Sequence, residues 1–226
     1  MSARVGVVLF PGSNCERDVA EAVRSLGGEA EIVWHGDRSL SGFDAVVVPG
    51  GFAHGDYLRP GAIARFSPVM EAVGDFAALG GPVAGICNGF QVLAEAGLLP
   101  GALQKNRGLR FLCRPVDVRV ESADSALTAA NEVGDVLRLP INHFEGNYTC
   151  DRETLAQLRA DERVVLRYVD NPNGSVDDIA GVCSETRNVV GLMPHPERAS
   201  DLRLGSADGV PLLRSLLGAA SRAAAA

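Results

Sequence analysis

The chain has 226 residues, enough for one large domain or two small ones, and its 46% hydrophobic content can build a substantial core. Its 21 basic and 28 acidic residues leave a net charge of −7, which argues against a nucleic-acid partner because phosphate backbones require a basic surface. No apolar run approaches the roughly 18 residues of a membrane span, and residues 1–10 lack a signal-peptide pattern, so we expect a soluble cytoplasmic protein.

The first hundred residues alternate between strand-like and helical patterns. Hydrophobic periodicity and turn residues predict strands at 4–10, 29–34, 43–48 and 82–86, and helices at 16–26, 63–79 and 88–96. This alternation implies right-handed crossovers and therefore an α/β fold with a doubly wound, mainly parallel sheet and helices on both faces.

The second half is richer in strands. Strands are predicted at 111–121, 136–141, 164–169, 179–183 and 189–193, with helices only near 154–159 and 211–222. We therefore expect an antiparallel extension of the same sheet, in a single domain over residues 1–226, with fraying confined to the alanine-rich last few residues.

A cysteine lies where a predicted strand ends and a helix begins, in Gly85-Ile86-Cys87-Asn88-Gly89. Small residues two positions either side of a nucleophile are typical of a strained elbow, and a helix N-terminus favours the thiolate. The alternative is an ordinary small core residue. Cys15 is the best rival thiol, but we expect only Cys87 to combine an elbow, a helix start and a histidine partner; Cys113, Cys150 and Cys183 are expected to be structural.

The most informative histidine is His195, in Met193-Pro194-His195-Pro196-Glu197. In an extended segment positions i and i+2 project to the same side, so Glu197 is expected to orient the His195 ring and stabilise its imidazolium. A surface turn with a solvated glutamate is the alternative. His143 has a similar spacing to Glu145 and is the competing base, whereas we assign binding or packing to His35 and His54.

An acyl-transfer thiol also needs donors for the developing oxyanion. The Pro49-Gly50-Gly51-Phe52 turn follows the third predicted strand and can present backbone N–H groups to the sheet edge that carries the elbow, and the Asn88 N–H adjoins the nucleophile. A glycine turn that only reverses the chain remains the alternative.

Together, the Gly85-Ile-Cys87-Asn-Gly89-Phe-Gln91 segment, the Pro-Gly-Gly turn and the His195-Pro-Glu197 motif resemble the class I (triad) glutamine amidotransferases, whose fold is flavodoxin-like. The resemblance implies that Cys87, His195 and Glu197 are the catalytic triad. It also implies that Gly51 and Asn88 form the oxyanion hole and that Gln91 binds the glutamine substrate. We assign His143 to substrate binding as well, and we expect no metal because none of the cysteines lies in a C-x-x-C pair or another metal-ligand spacing.

Longer stretches are similar to the glutaminase subunits of phosphoribosylformylglycinamidine synthases: Pro11-Gly-Ser-Asn-Cys15, Gly51-Phe-Ala-His-Gly-Asp-Tyr-Leu-Arg59, Asn142-His-Phe-Glu-Gly-Asn147 and His195-Pro-Glu-Arg-Ala199. This implies that glutamine-derived ammonia is passed to a synthetase subunit, in a complex with a small accessory subunit. The chain has no phosphate-binding Gly-x-x-x-x-Gly-Lys-Ser/Thr loop, so we expect no cofactor here and expect ATP and Mg²⁺ to act in the synthetase.

Three other functions remain open at this point. The chain could be a free-standing cysteine hydrolase, a non-catalytic regulatory subunit, or an amidotransferase subunit of another pathway such as pyridoxal phosphate, histidine or anthranilate synthesis. The intact Cys87, His195 and Glu197 disfavour the second, and only the longer family-specific stretches disfavour the third.

Overall fold

The computed structural model of the protein describes residues 2–223. In chain order its strands are β1 (Arg4–Leu9), β2 (Glu29–Trp34), β3 (Ala45–Val48), β4 (Val83–Ile86), β5 (Ala102–Gln104), β6 (Leu112–Val120), β7 (Val136–His143), β8 (Asn147–Thr149), β9 (Val164–Tyr168), β10 (Ile179–Cys183) and β11 (Val189–Leu192). Its α-helices are α1 (Glu16–Ser25), α2 (Pro68–Ala78), α3 (Asn88–Glu95), α4 (Arg152–Ala160) and α5 (Val210–Ala223).

Nine of the strands form one sheet, in the order β2-β1-β3-β4-β11-β10-β9-β6-β7. The pairs from β2 to β11 are parallel, and the pairs from β11 to β7 are antiparallel. The predicted fold class is thereby confirmed. Every residue of β3, β4 and β11 is buried, which is why these segments read as continuous apolar runs rather than alternating patterns.

One local expectation was wrong, and two short strands were missed. The helix predicted over 63–79 is a short 3₁₀ turn, Ala64–Phe66, followed by α2, because Ser67 has an extended backbone (ψ 142°) before Pro68. A residue before proline avoids the helical region, and proline is well suited to the first helical position.

The strands β5 and β8, which pair in a separate two-stranded sheet, were not predicted because each has only three residues. The fraying expected at the C-terminus falls largely on residues 224–226, outside the described residues.

The insertion of β11 beside β4 positions the functional residues. Gly191 pairs with Gly85 and Leu192 with Ile86, so the segment after β11 emerges next to the end of β4. The Cys87 N–H donates to the Leu192 carbonyl (2.8 Å). The carboxyl ends of parallel strands meet at one edge of a sheet, and this edge is where ligands bind in open α/β folds.

Among residues 2–223, no helix combines the length and the apolar character needed to span a membrane.

Candidate active site

Cys87 occupies the junction between β4 and α3 in a strained backbone conformation, with φ 51° and ψ −106°. A side chain at Gly85 would come within 2.8 Å of the Gly89 carbonyl oxygen, and one at Gly89 would overlap the Val48 carbonyl oxygen. Only glycine therefore allows the strand and the helix to approach this closely on both sides of the cysteine. The Cys87 thiol is buried, and its Sγ lies 3.7 Å from the Asn142 carbonyl oxygen.

His195 and Glu197 form a buried pair. The distance from Nδ1 to the Glu197 Oε1 is 2.6 Å, and the two residues are only 1% and 2% exposed. The sequence predicted an extended segment here, but Pro196–Ala199 is a 3₁₀ turn that begins directly after His195. The expected contact is made nonetheless, because the tight turn brings the carboxylate back to the ring.

The electrostatic surroundings favour a charged imidazole. Burial by itself lowers the pKa of His195, but the Glu197 carboxylate and then the neighbouring Cys87 side chain outweigh it and hold this pKa well above its ordinary value. Nε2 is buried and has no hydrogen-bond partner among residues 2–223. Since Nδ1 is occupied by Glu197, Nε2 is the nitrogen available to exchange a proton with a thiol or a leaving group.

Two backbone N–H groups are available near the cysteine. Within the described part of the chain, neither the Gly51 N–H nor the Asn88 N–H donates a hydrogen bond. Gly51 has φ 147°, and a side chain there would lie 2.7 Å from the Ser13 Cα. The turn therefore requires glycine, both for its backbone conformation and for the closeness of the neighbouring chain.

The Asn88 side chain ties α3 to the loop that follows Gly51. Its Oδ1 accepts from the Ala53 N–H (2.9 Å), and its Nδ2 donates to Asp56 Oδ1 (3.0 Å) and to Gln91 Oε1 (2.9 Å). Burial raises the pKa of Asp56 to about 6, although the Asn88 hydrogen bond opposes the shift. The amide of Gln91 is engaged at both ends, since its Nε2 donates to the Glu145 carbonyl. A substrate contact by Gln91 would therefore replace one of these bonds.

His143 does not make the expected contact with Glu145. Its Nδ1 is 3.1 Å from Asn106 Oδ1, and Asn106 also accepts from the Gly146 N–H and donates to the His143 carbonyl. Burial and then the charge of His195 lower the pKa of His143 to about 4. A neutral ring without a carboxylate partner is poorly suited to general-base chemistry, but its buried Nε2 has no partner among residues 2–223 and could accept a hydrogen bond from a ligand.

Cys15 also has a histidine neighbour, which the sequence did not indicate, although the expected combination with an elbow is found only at Cys87. The thiol of Cys15, at the start of α1, also lies beside His195, and the Arg198 Nη2 is 3.1 Å from its Sγ. Burial raises the pKa of Cys15 despite the nearby imidazolium. Cys15 lacks the elbow geometry, and its thiol is already engaged by Arg198.

The remaining histidines and cysteines are outside this cluster. His35 and His54 pack edge to face, with ring centroids 5.1 Å apart, and each lies 3.3 Å from the Ser67 hydroxyl. The other thiols lie in or next to strands, as expected: Cys113 is exposed, Cys150 half-buried and Cys183 buried.

Cys15, His195 and Glu197 carry ligand atoms that lie within 4.8 Å of one another, a group that could in principle hold a metal ion. However, the Nδ1 of His195 is bound to Glu197, and the Sγ of Cys15 accepts from Arg198. A metal would have to displace both contacts, so we assign none here, and the absence of a metal stays a prediction.

The residues that sequence reasoning missed are Asn106, Asp56 and Arg198. Each is hydrogen-bonded to a residue far from it in the sequence: Asn106 to His143, Asp56 to Asn88, and Arg198 to Cys15. The only available signal was that Asp56 and Arg198 fall within stretches already selected for their family resemblance.

A cysteine at a strand–helix elbow, together with a buried histidine–glutamate pair on a doubly wound sheet, is the arrangement that the resemblance to the class I glutamine amidotransferases implies. The family described as the CobB/CobQ-like glutamine amidotransferase domain matches residues 2–206. A Rubrobacter xylanophilus protein named phosphoribosylformylglycinamidine synthase subunit PurQ is 64% identical over 96% of this chain and 99% of its own length. A protein of the same name from Koribacter versatilis is 52% identical over 97% of this chain and 99% of its own.

A solved structure agrees with these sequence comparisons. A chain in the structure of PurLQS from Thermotoga maritima is 43% identical to this protein and superposes on it with a TM-score of 0.90. The match covers 96% of this protein and 99% of the Thermotoga maritima chain. The protein therefore belongs to this glutamine amidotransferase family and, within it, to the PurQ subunits.

Proposed function

We propose that this chain is the glutaminase subunit of phosphoribosylformylglycinamidine synthase and that Cys87, His195 and Glu197 carry out its chemistry. The observation that carries the proposal is the conjunction of a strained Cys87 at the strand–helix elbow with the buried 2.6 Å contact between His195 and Glu197. The names of relatives that are matched over nearly their whole length support the assignment to purine synthesis.

The proposed reaction is an acyl transfer. His195 Nε2 takes the thiol proton, and the Cys87 sulfur attacks the side-chain amide carbon of glutamine. The Gly51 and Asn88 N–H groups stabilise the oxyanion of the tetrahedral intermediate. His195 returns the proton to the leaving nitrogen, so ammonia departs and a glutamyl thioester remains. Water, activated by His195, then hydrolyses the thioester to glutamate and restores the thiol. Glu197 keeps the ring oriented and its imidazolium stabilised throughout.

The ammonia is used by a partner. A synthetase subunit converts formylglycinamide ribonucleotide to the amidine with ATP and Mg²⁺, and a small accessory subunit completes the complex. This division of labour is supported by the absence from the sequence of a Gly-x-x-x-x-Gly-Lys-Ser/Thr loop and by the similarity of this chain to one chain of the Thermotoga maritima PurLQS structure. We place the complex in the cytoplasm, and we treat residues 1–226 as one amidotransferase domain.

The test of the site is labelling with a glutamine-mimicking electrophile, followed by peptide mapping of all five cysteines. Cys87 should carry the adduct, and excess glutamine should protect it, because only this thiol has the elbow and an unengaged histidine nitrogen beside it. The exposed Cys113 is the internal control for unselective alkylation. An adduct mainly on Cys15 would overturn the assignment of the nucleophile.

The test of the subunit role is which proteins co-purify with the chain, together with the activity of the isolated chain. We expect a synthetase subunit to co-purify and the isolated chain to hydrolyse glutamine poorly, since release of ammonia away from the acceptor would be wasteful. Vigorous hydrolysis of amides other than glutamine by the isolated chain would instead support a free-standing hydrolase.

A further inference from the structure

The Pro11-Gly-Ser-Asn-Cys15 segment is a turn that no step of the proposed reaction uses, although it borders the site. Its backbone is tied to the glycine turn after β3: the Cys15 N–H donates to the Gly50 carbonyl (3.3 Å) and the Phe52 N–H donates to the Gly12 carbonyl (2.9 Å). A bridge between Ser13 and Gly51 lies between these bonds. The segment therefore fixes the position of the Gly51 N–H.

The last residue of this segment also reaches the histidine. A side-chain carbon at Gly50 would lie 2.7 Å from the Cε1 of His195 and 3.0 Å from the Sγ of Cys15, so the three residues meet in one tightly packed corner. Cys15 is 1% exposed, and its Sγ is within 4.8 Å of a ring nitrogen of His195 and of a carboxylate oxygen of Glu197.

A cation lies on the other side of this thiol. The Arg198 guanidinium is 3.1 Å from the Cys15 Sγ and 3.0 Å from Asp18 Oδ2, and it belongs to the residue that directly follows Glu197. Arginine pairs readily with carboxylates, and Glu197 Oε2 is buried without a partner among residues 2–223. A guanidinium paired with Glu197 would partly offset the negative charge that stabilises the imidazolium.

We propose that Cys15 is a positioning residue: its thiol accepts a hydrogen bond from Arg198, holds this guanidinium away from Glu197, and packs against the edge of the His195 ring. A thiol suits this role because burial raises its pKa and so favours the neutral form, which can accept a hydrogen bond from arginine while it lies beside the imidazolium. The inference rests on the proposed glutaminase function and adds a residue to its machinery.

The charged and titratable groups around His195 set the expected pH effect. They are Glu197 and Arg198 on its own segment, Cys15 at the start of α1, Cys87 at the elbow and His143 at the end of β7. When Cys15 is replaced by alanine, the Arg198 Nη2 loses its acceptor while Nε stays paired with Asp18 on α1, and the freed end of the guanidinium can turn towards Glu197. The imidazolium then loses stabilisation and the pKa of His195 falls, so protonation of the leaving ammonia fails at a lower pH.

The experiment compares the pH dependence of glutamine hydrolysis in the complex reconstituted with the synthetase subunit, for the wild type and three variants. Cys15→Ala should lower kcat, leave the KM for glutamine unchanged, and move the basic limb of kcat/KM to lower pH by about one unit, a tenfold loss on that limb. Cys15→Ser keeps a neutral acceptor and should retain the wild-type limb.

The decisive variant is Cys15→Ala combined with Arg198→Gln, because removing the guanidinium charge should return the basic limb to its wild-type position or above. A merely structural role for Cys15 would lower activity at all pH values and would not be rescued in this way. A wild-type pH profile for Cys15→Ala, or no restoration in the double variant, overturns this inference alone. A wild-type complex without glutamine-dependent activity would overturn the proposed function instead.

Discussion

Replacing Gly51 with alanine should strongly reduce glutamine-dependent turnover in a protein that still folds. The new Cβ would lie 2.7 Å from the Ser13 Cα and 2.8 Å from the Asn14 nitrogen. The first distance is about 0.8 Å short of the ~3.5 Å at which carbon atoms pack, so the turn must move by a large fraction of an ångström. The contacts are backbone atoms, which cannot swing aside as a flexible side chain would.

The displaced N–H would no longer face the oxyanion. Loss of one such donor costs about 2.7–4 kcal/mol in the barrier, which is on the order of 10²–10³ in kcat. The φ of 147° adds strain of about 1–3 kcal/mol for a residue other than glycine, so thermal unfolding must be measured beside activity. The assay is formation of the amidine by the reconstituted complex with glutamine or with ammonium as nitrogen donor.

A matched control is Gly27→Ala. Gly27 also has a left-handed backbone, with φ 90°, but a side chain there would meet nothing within 4 Å. This variant should lose about 1–2 kcal/mol of stability and keep its glutamine-dependent activity. If folded Gly51→Ala retains wild-type glutamine turnover, or if it loses ammonium-dependent activity equally, the assignment of Gly51 as an oxyanion donor is wrong.

Three further outcomes are expected. His195→Ala should cut thioester formation severely and Glu197→Ala less, because the glutamate transfers no proton, whereas His143→Ala should leave a working nucleophile; a dead His143→Ala beside an active His195→Ala would reverse the assignment of the base. The pKa of His143 is lowered from its ordinary 6.5 to about 4, so the unfolded chain binds this proton first and stability falls as the pH drops from about 6.5 to about 4. The pKa of Asp56 is raised from its ordinary 3.8 to about 6, so the folded chain binds that proton first and stability rises as the pH drops from about 6 to about 3.8. Asp56→Asn should therefore make acid destabilisation steeper in urea unfolding at pH 7 and pH 5, and a shallower dependence would contradict these assignments. Gly89→Ala should reduce stability by about 1–3 kcal/mol or more, since its Cβ would overlap a β3 carbonyl oxygen, and an unchanged melting temperature would refute the close packing at the elbow.

The local signals in the sequence predicted most of the fold. Continuous apolar runs identified the buried strands, and β2 was predicted with its observed bounds. The break at Pro68 was also present in the sequence and was missed because the apolar periodicity continues across it. Strands of three residues, such as β5 and β8, carry too little pattern to be recognised.

The candidate site was predicted only where its contacts are local. The elbow around Cys87 and the His195–Glu197 contact are each contained within a few residues. The same i, i+2 argument failed for His143 because β7 ends at that residue and the chain turns away from the expected geometry. The contact of Cys15 with His195 depends on β11 lying in the parallel part of the sheet, which no local pattern encodes.

The central claim is that this chain supplies ammonia and a partner consumes it, and the most direct measurement compares nitrogen donors for the complex reconstituted with Cys87→Ala. In the proposed reaction the Cys87 thiol releases ammonia from the glutamine amide, so without it glutamine should no longer support amidine formation. Ammonium salts should still support it at the wild-type rate, because the proposal places ATP and the ribonucleotide on the synthetase subunit. Loss of both activities in a complex that still assembles, or amidine formation by the wild-type chain without a partner, would contradict the account.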